Sequence, residues 1–140
     1  MMLFKKILVA YDGSNLSKKA LARAVELLEG NAEEGRTPHL EVIYILHDPA
    51  LLLASGYAVD LSVNDYIINE AKKLVPPSIQ AEFVVQRGQP AYTILKHAEA
   101  NGFDLIVMGS RGRGAIREFI LGSVSHNVVQ HAKIPVLIVK

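Results

Sequence analysis

The sequence predicts a doubly wound α/β fold: a five-stranded parallel sheet with helices on both faces. Three observations carry that expectation. Short β-branched runs alternate with longer stretches of helical period, and those runs are apolar at nearly every position rather than at alternate ones. The chain is also 50% apolar over 140 residues, enough for one core. Strands buried on both faces need such continuous apolar runs, because helices cover both sides of a parallel sheet. Residues 1–140 are therefore expected to form a single domain.

The first strand is "KILVAY", Lys6 to Tyr11, followed by the turn "DGSN". The stretch "LSKKALARAVELLEG" then sets Leu21, Ala24, Val25 and Leu28 on one helical face, with Ser17 as the expected N-cap and Gly30 as the expected terminator. "LEVIYIL", Leu40 to Leu46, is the second strand. The next segment, from about Asp48 to Leu61, carries no periodicity. A helix from about Val63 to Leu74 follows and is stopped by Pro76 and Pro77. "AEFVVQ" is strand three. "PAYTILKHAEANG" is a helix with Pro90 in its first turn, where the missing N–H costs nothing, and Gly102 as its stop. "DLIVMG" is strand four, "SVSHNVVQHA" a short helix and "PVLIV" strand five.

Right-handed crossovers through this β-α alternation give a Rossmann-like sheet of order 3-2-1-4-5. Open sheets of this kind bind ligands at the carboxyl ends of the strands where the winding reverses. Here those ends are Asp12, after strand one, and Gly109, after strand four.

Charge and composition narrow the ligand. Fifteen basic and 14 acidic residues leave a net charge of +1, so no global field favours a polyanion, and anion selectivity has to be local. With no cysteine there is no disulfide framework, thiolate metal site or cysteine nucleophile. The opening "MMLFKKILVAYDG" is unlike a signal peptide, and no apolar run approaches the ~18 residues of a membrane span. A cytoplasmic location is expected. His126 and His131 are five apart, off the i, i+4 spacing of a helical zinc site. "RGRG" lacks the aromatic interleaving and wider basic patch of a nucleic-acid binder, so nucleic acid is not an expected partner.

The local anion site is the loop "GSRGRGAIREFILGS", residues 109 to 123, with glycines at Gly109, Gly112, Gly114 and Gly122. A backbone that wraps a phosphate turns several N–H groups inward and comes close to its oxygens, which favours residues without a Cβ. Gly122 and Ser123 stand where the next helix begins, so its unpaired N–H groups and positive dipole end face the loop. The dipole supplies only about 0.3–1 kcal/mol, whereas micromolar affinity needs roughly 8, so base burial and several N–H bonds must provide most of the binding. Two commoner glycine motifs fail. A Walker A loop needs lysine where Ala115 stands, and a dinucleotide fingerprint needs a third glycine where Arg117 stands, after the first strand rather than the fourth.

Gly109, two residues, Gly112, nine residues, Gly122 and Ser123 form the G-2x-G-9x-G-[ST] pattern, and here the chain resembles the ATP-binding branch of the universal stress protein family. "KILVAYDGSNLSKKAL" looks like that family's opening strand, aspartate and first helix, and "SVSHNVVQHAKIPVLIVK" like its closing helix and strand. The resemblance implies an ATP ligand. Asp12 would contact the ribose, or a magnesium ion indirectly, and main-chain groups of Ala10 and Tyr11 would line the adenine side. Gly109, Gly112, Gly122, Ser123, Val124 and Ser125 would cradle phosphates and ribose, with Met108 beneath the ligand. His47 aligns with the position whose main chain holds the adenine edge, although "LH" shifts the family's usual pattern by one residue. Arg111 and Arg113 join the set on charge and proximity alone. The resemblance also implies a homodimer through the terminal strand, whose apolar edge would otherwise be exposed.

Each residue also has a plainer role: Asp12 is common in turns, Ser123 or Ser125 can serve as an N-cap, and the arginines can solvate a loop. The leading function is a cytoplasmic ATP-binding stress-response module with no required catalysis. The alternative is a slow ATPase or nucleotidyl-transfer enzyme of related fold. No lysine stands at the phosphates, and no general base other than Asp12 is evident.

Overall fold

A computed structural model describes residues 3–30, 38–46, 61–111 and 121–140. The elements run β1 (Lys6–Ala10), α1 (Asn15–Gly30), β2 (His39–Leu46), α2 (Leu61–Lys73), β3 (Ala81–Arg87), α3 (Pro90–Ala100), β4 (Leu105–Gly109), α4 (Ser123–His131) and β5 (Val136–Val139). The five strands form one parallel sheet in the order β3-β2-β1-β4-β5. The fold class and strand order are those expected.

Strand alternation divides the core into two layers. Ile7, Val9, Tyr11, Leu40, Val42, Leu105 and Val107 face α1 and α2. Leu8, Ile43, Ile106 and Met108 face α3 and α4. The two helices that precede β3 thus lie on one side and the two that follow it on the other. The winding reverses between β1 and β4, where the register sets Val9 beside Val107. The expected face of α1 is the buried one: Leu21, Ala24, Val25 and Leu28 lie in the core, with Ala20 among them.

Several element ends differ from expectation. Ser17 is not the cap of α1 but lies buried inside its first turn. Ser14 caps instead, its Oγ accepting the Ser17 N–H at 3.2 Å while its carbonyl accepts the Ser17 hydroxyl at 2.8 Å. Gly30 is the last helical residue rather than a left-handed terminator, and the following segment lies outside the described residues. β2 starts one residue earlier, at His39, and α2 spans Leu61–Lys73. β4 omits Asp104, whose carboxylate instead accepts the Lys5 and Lys6 amides at 2.8 and 3.0 Å and pins the start of β1. Pro135 has no N–H to give and precedes β5, but its carbonyl accepts the Ile106 N–H at 3.0 Å. Gly102 is left-handed at φ 68° after α3, as a stop should be.

Candidate functional site

β1 leaves the sheet through Tyr11, whose amide still reaches the Ile43 carbonyl at 3.0 Å. The chain then reverses at Asp12-Gly13-Ser14. Asp12 Oδ1 accepts the Ser14 N–H at 2.9 Å, closing an Asx turn, and Gly13 takes φ 83°, a conformation suited to glycine. The turn role weighed for Asp12 is therefore real, and it holds the half-buried carboxylate at the mouth of the β1/β4 crevice. Ser14 satisfies the start of α1.

On the other side, Gly109 ends β4 and Ser110 follows it. Ser110 is 3% exposed and is tied at both backbone groups: its amide donates to the Val139 carbonyl at 2.8 Å, and its carbonyl accepts the Gly122 N–H at 2.7 Å and the Ser125 hydroxyl at 2.6 Å. These bonds clamp together the two ends of the glycine loop, whose residues 112–120 lie outside the described residues, as does His47. The roles expected of Gly112, Arg113 and His47 therefore rest on sequence alone. Sequence reading missed Ser110. Its only signal was a small residue inside the first glycine pair.

The two described glycines of the motif have different reasons to be glycine. A Cβ on Gly109 would lie 2.8 Å from Leu16 Cβ and 3.1 Å from the Leu16 carbonyl carbon, so the first turn of α1 packs directly on this backbone. Gly122 meets no such constraint among the described residues. Its backbone, φ −72° and ψ 171°, suits any residue, and an added Cβ would meet its nearest neighbour, Arg111 Cα, at an ordinary 3.4 Å. Gly122 is nonetheless the N-cap of α4 and offers no side chain to it. Among the described residues, the first-turn amides of Ser123, Val124 and Ser125 have no hydrogen-bond acceptor. One helix at the crevice is thus capped by a serine, while the first-turn N–H groups of the other find no acceptor among the described residues.

The remaining expected residues separate by burial. Ser123 is exposed, and Ala10, Val124 and Arg111 are half-buried around the crevice. Met108 is buried in the α3/α4 core layer. Ser125 is also buried, with its hydroxyl committed to Ser110, so only its backbone N–H is left for a ligand.

These features define a class: a doubly wound α/β protein whose winding reversal is flanked by an aspartate turn and a helix start capped by glycine. Residues 3–140 match the model of the universal stress protein family, and the chain belongs to that family. It is 36% identical to universal stress protein YxiE of Bacillus subtilis (strain 168), an alignment covering 99% of this chain and 100% of that one. The solved universal stress protein UspA of Lactobacillus plantarum superposes with a TM-score of 0.81 at 23% identity, covering 97% of each chain. A universal stress protein solved in complex with cAMP has a TM-score of 0.64 at 25% identity, covering 98% of this chain and 97% of that one.

Proposed function

We infer that this chain is a single-domain, cytoplasmic stress-response module that binds ATP in the β1/β4 crevice. The observation that carries the reading is Gly122. Among the described residues a side chain would be tolerated there, and helix capping favours one that carries an oxygen, yet the position is glycine and the first-turn amides of α4 have no acceptor among those residues. A phosphate group suits that arrangement: it supplies the missing acceptors, and its approach needs the space a side chain would take. The relative solved with cAMP supports an adenine nucleotide as the ligand class.

In this reading the amides of Ser123, Val124 and Ser125, with Gly109 and Gly112, hold the phosphates. Arg111 and Arg113 add charge. Ala10, Tyr11 and the main chain at His47 line the adenine, with Met108 in the floor. Asp12 takes the ribose and orders a magnesium ion through water. That ion would neutralise phosphate charge, and the carboxylate at the crevice mouth suits it. Two copies pair through β5, an edge strand with Leu137 exposed.

The test is to purify the protein without added nucleotide, denature it, and quantify by mass spectrometry what is released per chain. An adenine nucleotide near one equivalent is expected. A chain that releases none, and binds none on later titration, refutes the reading.

A further inference from the structure

At the opposite end of the sheet, three side chains converge that the nucleotide site does not use. His39 opens β2, Glu41 lies two residues on along the same face, and Glu82 is the β3 partner of Glu41 in the strand register. His39 Nε2 lies 3.7 Å from Glu41 Oε2 and 4.0 Å from Glu82 Oε2, and one ligand atom from each of the three lies within 4.8 Å of the others.

Glu41 makes this more than a surface cluster. Its side chain is only 7% exposed, so an ionised carboxylate here needs compensation on both oxygens. Oε1 is bound by His97 Nε2, reaching across from α3. The amide nitrogens of Gln86 and Asn101 face His97 Nδ1 at 2.9 and 3.4 Å, so Nδ1 accepts and Nε2 carries the proton donated to Glu41. Phe103 packs against both imidazole rings. Oε2 has no hydrogen bond among the described residues and is aimed at His39. The nearby ammonium of Lys6 is held over the Phe103 ring and bonded to the Asn101 carbonyl.

We propose that His39 Nε2, Glu41 Oε2 and Glu82 Oε2 form a divalent transition-metal site, with zinc as the ion it takes. One imidazole and two carboxylates match zinc chemistry, and a fourth position is left to water. Zinc bonds of about 2.0–2.2 Å to nitrogen and oxygen place tetrahedral ligands about 3.4 Å apart. The His39–Glu41 and His39–Glu82 separations of 3.7 and 4.0 Å exceed that by a few tenths of an ångström, and the full set lies within 4.8 Å. The solvent-exposed Glu82 side chain can swing inward, which leaves only a small closure between His39 and Glu41. The His97–Glu41 bond is the outer partner that orients a ligating carboxylate in such sites. His39 and Glu82 reach solvent, which gives the ion its entry path.

The test is calorimetric titration of zinc chloride into the tag-free full chain without nucleotide, with cobalt(II) absorption as a second readout. The wild type is expected to take one ion per chain and give the intense visible bands of tetrahedral cobalt. Glu82→Gln and His39→Gln should each weaken zinc by at least about tenfold and lose those bands, with His131→Gln unchanged. Glu82 lies on the surface, so its variant keeps the test free of folding defects. No saturable uptake by the wild type, or unchanged affinity in both ligand variants, overturns the proposal.

Discussion

Gly109→Ala tests whether the first glycine of the motif serves the fold as well as any ligand. The new methyl would sit 2.8 Å from Leu16 Cβ, 3.1 Å from the Leu16 carbonyl carbon and 3.3 Å from the Arg111 carbonyl oxygen. The first of these is closer than carbon atoms tolerate, and two of the three atoms are backbone, so no rotamer change relieves them. The first turn of α1 must lift from β4, or the strand end must bend away. Overpacking of this kind costs typically 1–3 kcal/mol. For a chain of this length each kcal/mol lowers the melting temperature by about 3–4 °C, so a fall of roughly 3–12 °C is expected. The matched control is Gly122→Ala, where the nearest contact is 3.4 Å and the loss should stay within about 1 kcal/mol, the usual difference between glycine and alanine at an N-cap. Urea denaturation of both variants at equal slope gives the two free energies directly. Equal stability of Gly109→Ala and wild type would refute the packing argument. So would a Gly122→Ala loss larger than that of Gly109→Ala.

Other perturbations follow from the same geometry. Ser125→Ala removes the buried donor to the Ser110 carbonyl, which keeps its Gly122 N–H; a loss of about 1 kcal/mol in denaturant titration is expected, with nucleotide affinity changed less than about threefold. An unchanged stability would mean that the clamp contributes nothing. Asp12→Ala deletes the acceptor of the Ser14 N–H and should weaken magnesium-nucleotide binding more than binding of the metal-free nucleotide, measured by parallel titrations with and without magnesium. An equal effect on both would remove magnesium from the role of Asp12. Leu137→Lys places a charge on the exposed β5 edge, and light scattering should then report the mass of one chain where the wild type reports two. A monomeric wild type would refute pairing through that strand.

The sheet order was legible because five apolar runs and four intervening helical stretches leave little topological freedom once crossovers are right-handed. Finer features were decided by packing that a linear pattern does not carry. Ser17 reads as a cap by residue type, but Ser14 takes that place because the Asp12 turn brings it to the helix start. Gly109 and Gly122 look equivalent in the motif, and only the approach of Leu16 distinguishes them. The resemblance sets Ser125 among the phosphate ligands; its hydroxyl is spent on Ser110, fifteen residues away, which leaves the backbone N–H for that role. The histidines show no metal spacing along one helix because His39 meets Glu82 across a strand pair, a contact that depends on register.

Gly122→Asp isolates the central claim. An aspartate at this N-cap would bond the first-turn amides of α4 and complement its dipole, holding or raising stability by about 0.3–1 kcal/mol, while placing a negative charge where the phosphate is to lie. Calorimetric titration of ATP into nucleotide-stripped protein should show one site per chain in the wild type and none in a folded Gly122→Asp variant. Equal ATP affinity in the two proteins would contradict the account and place any nucleotide elsewhere.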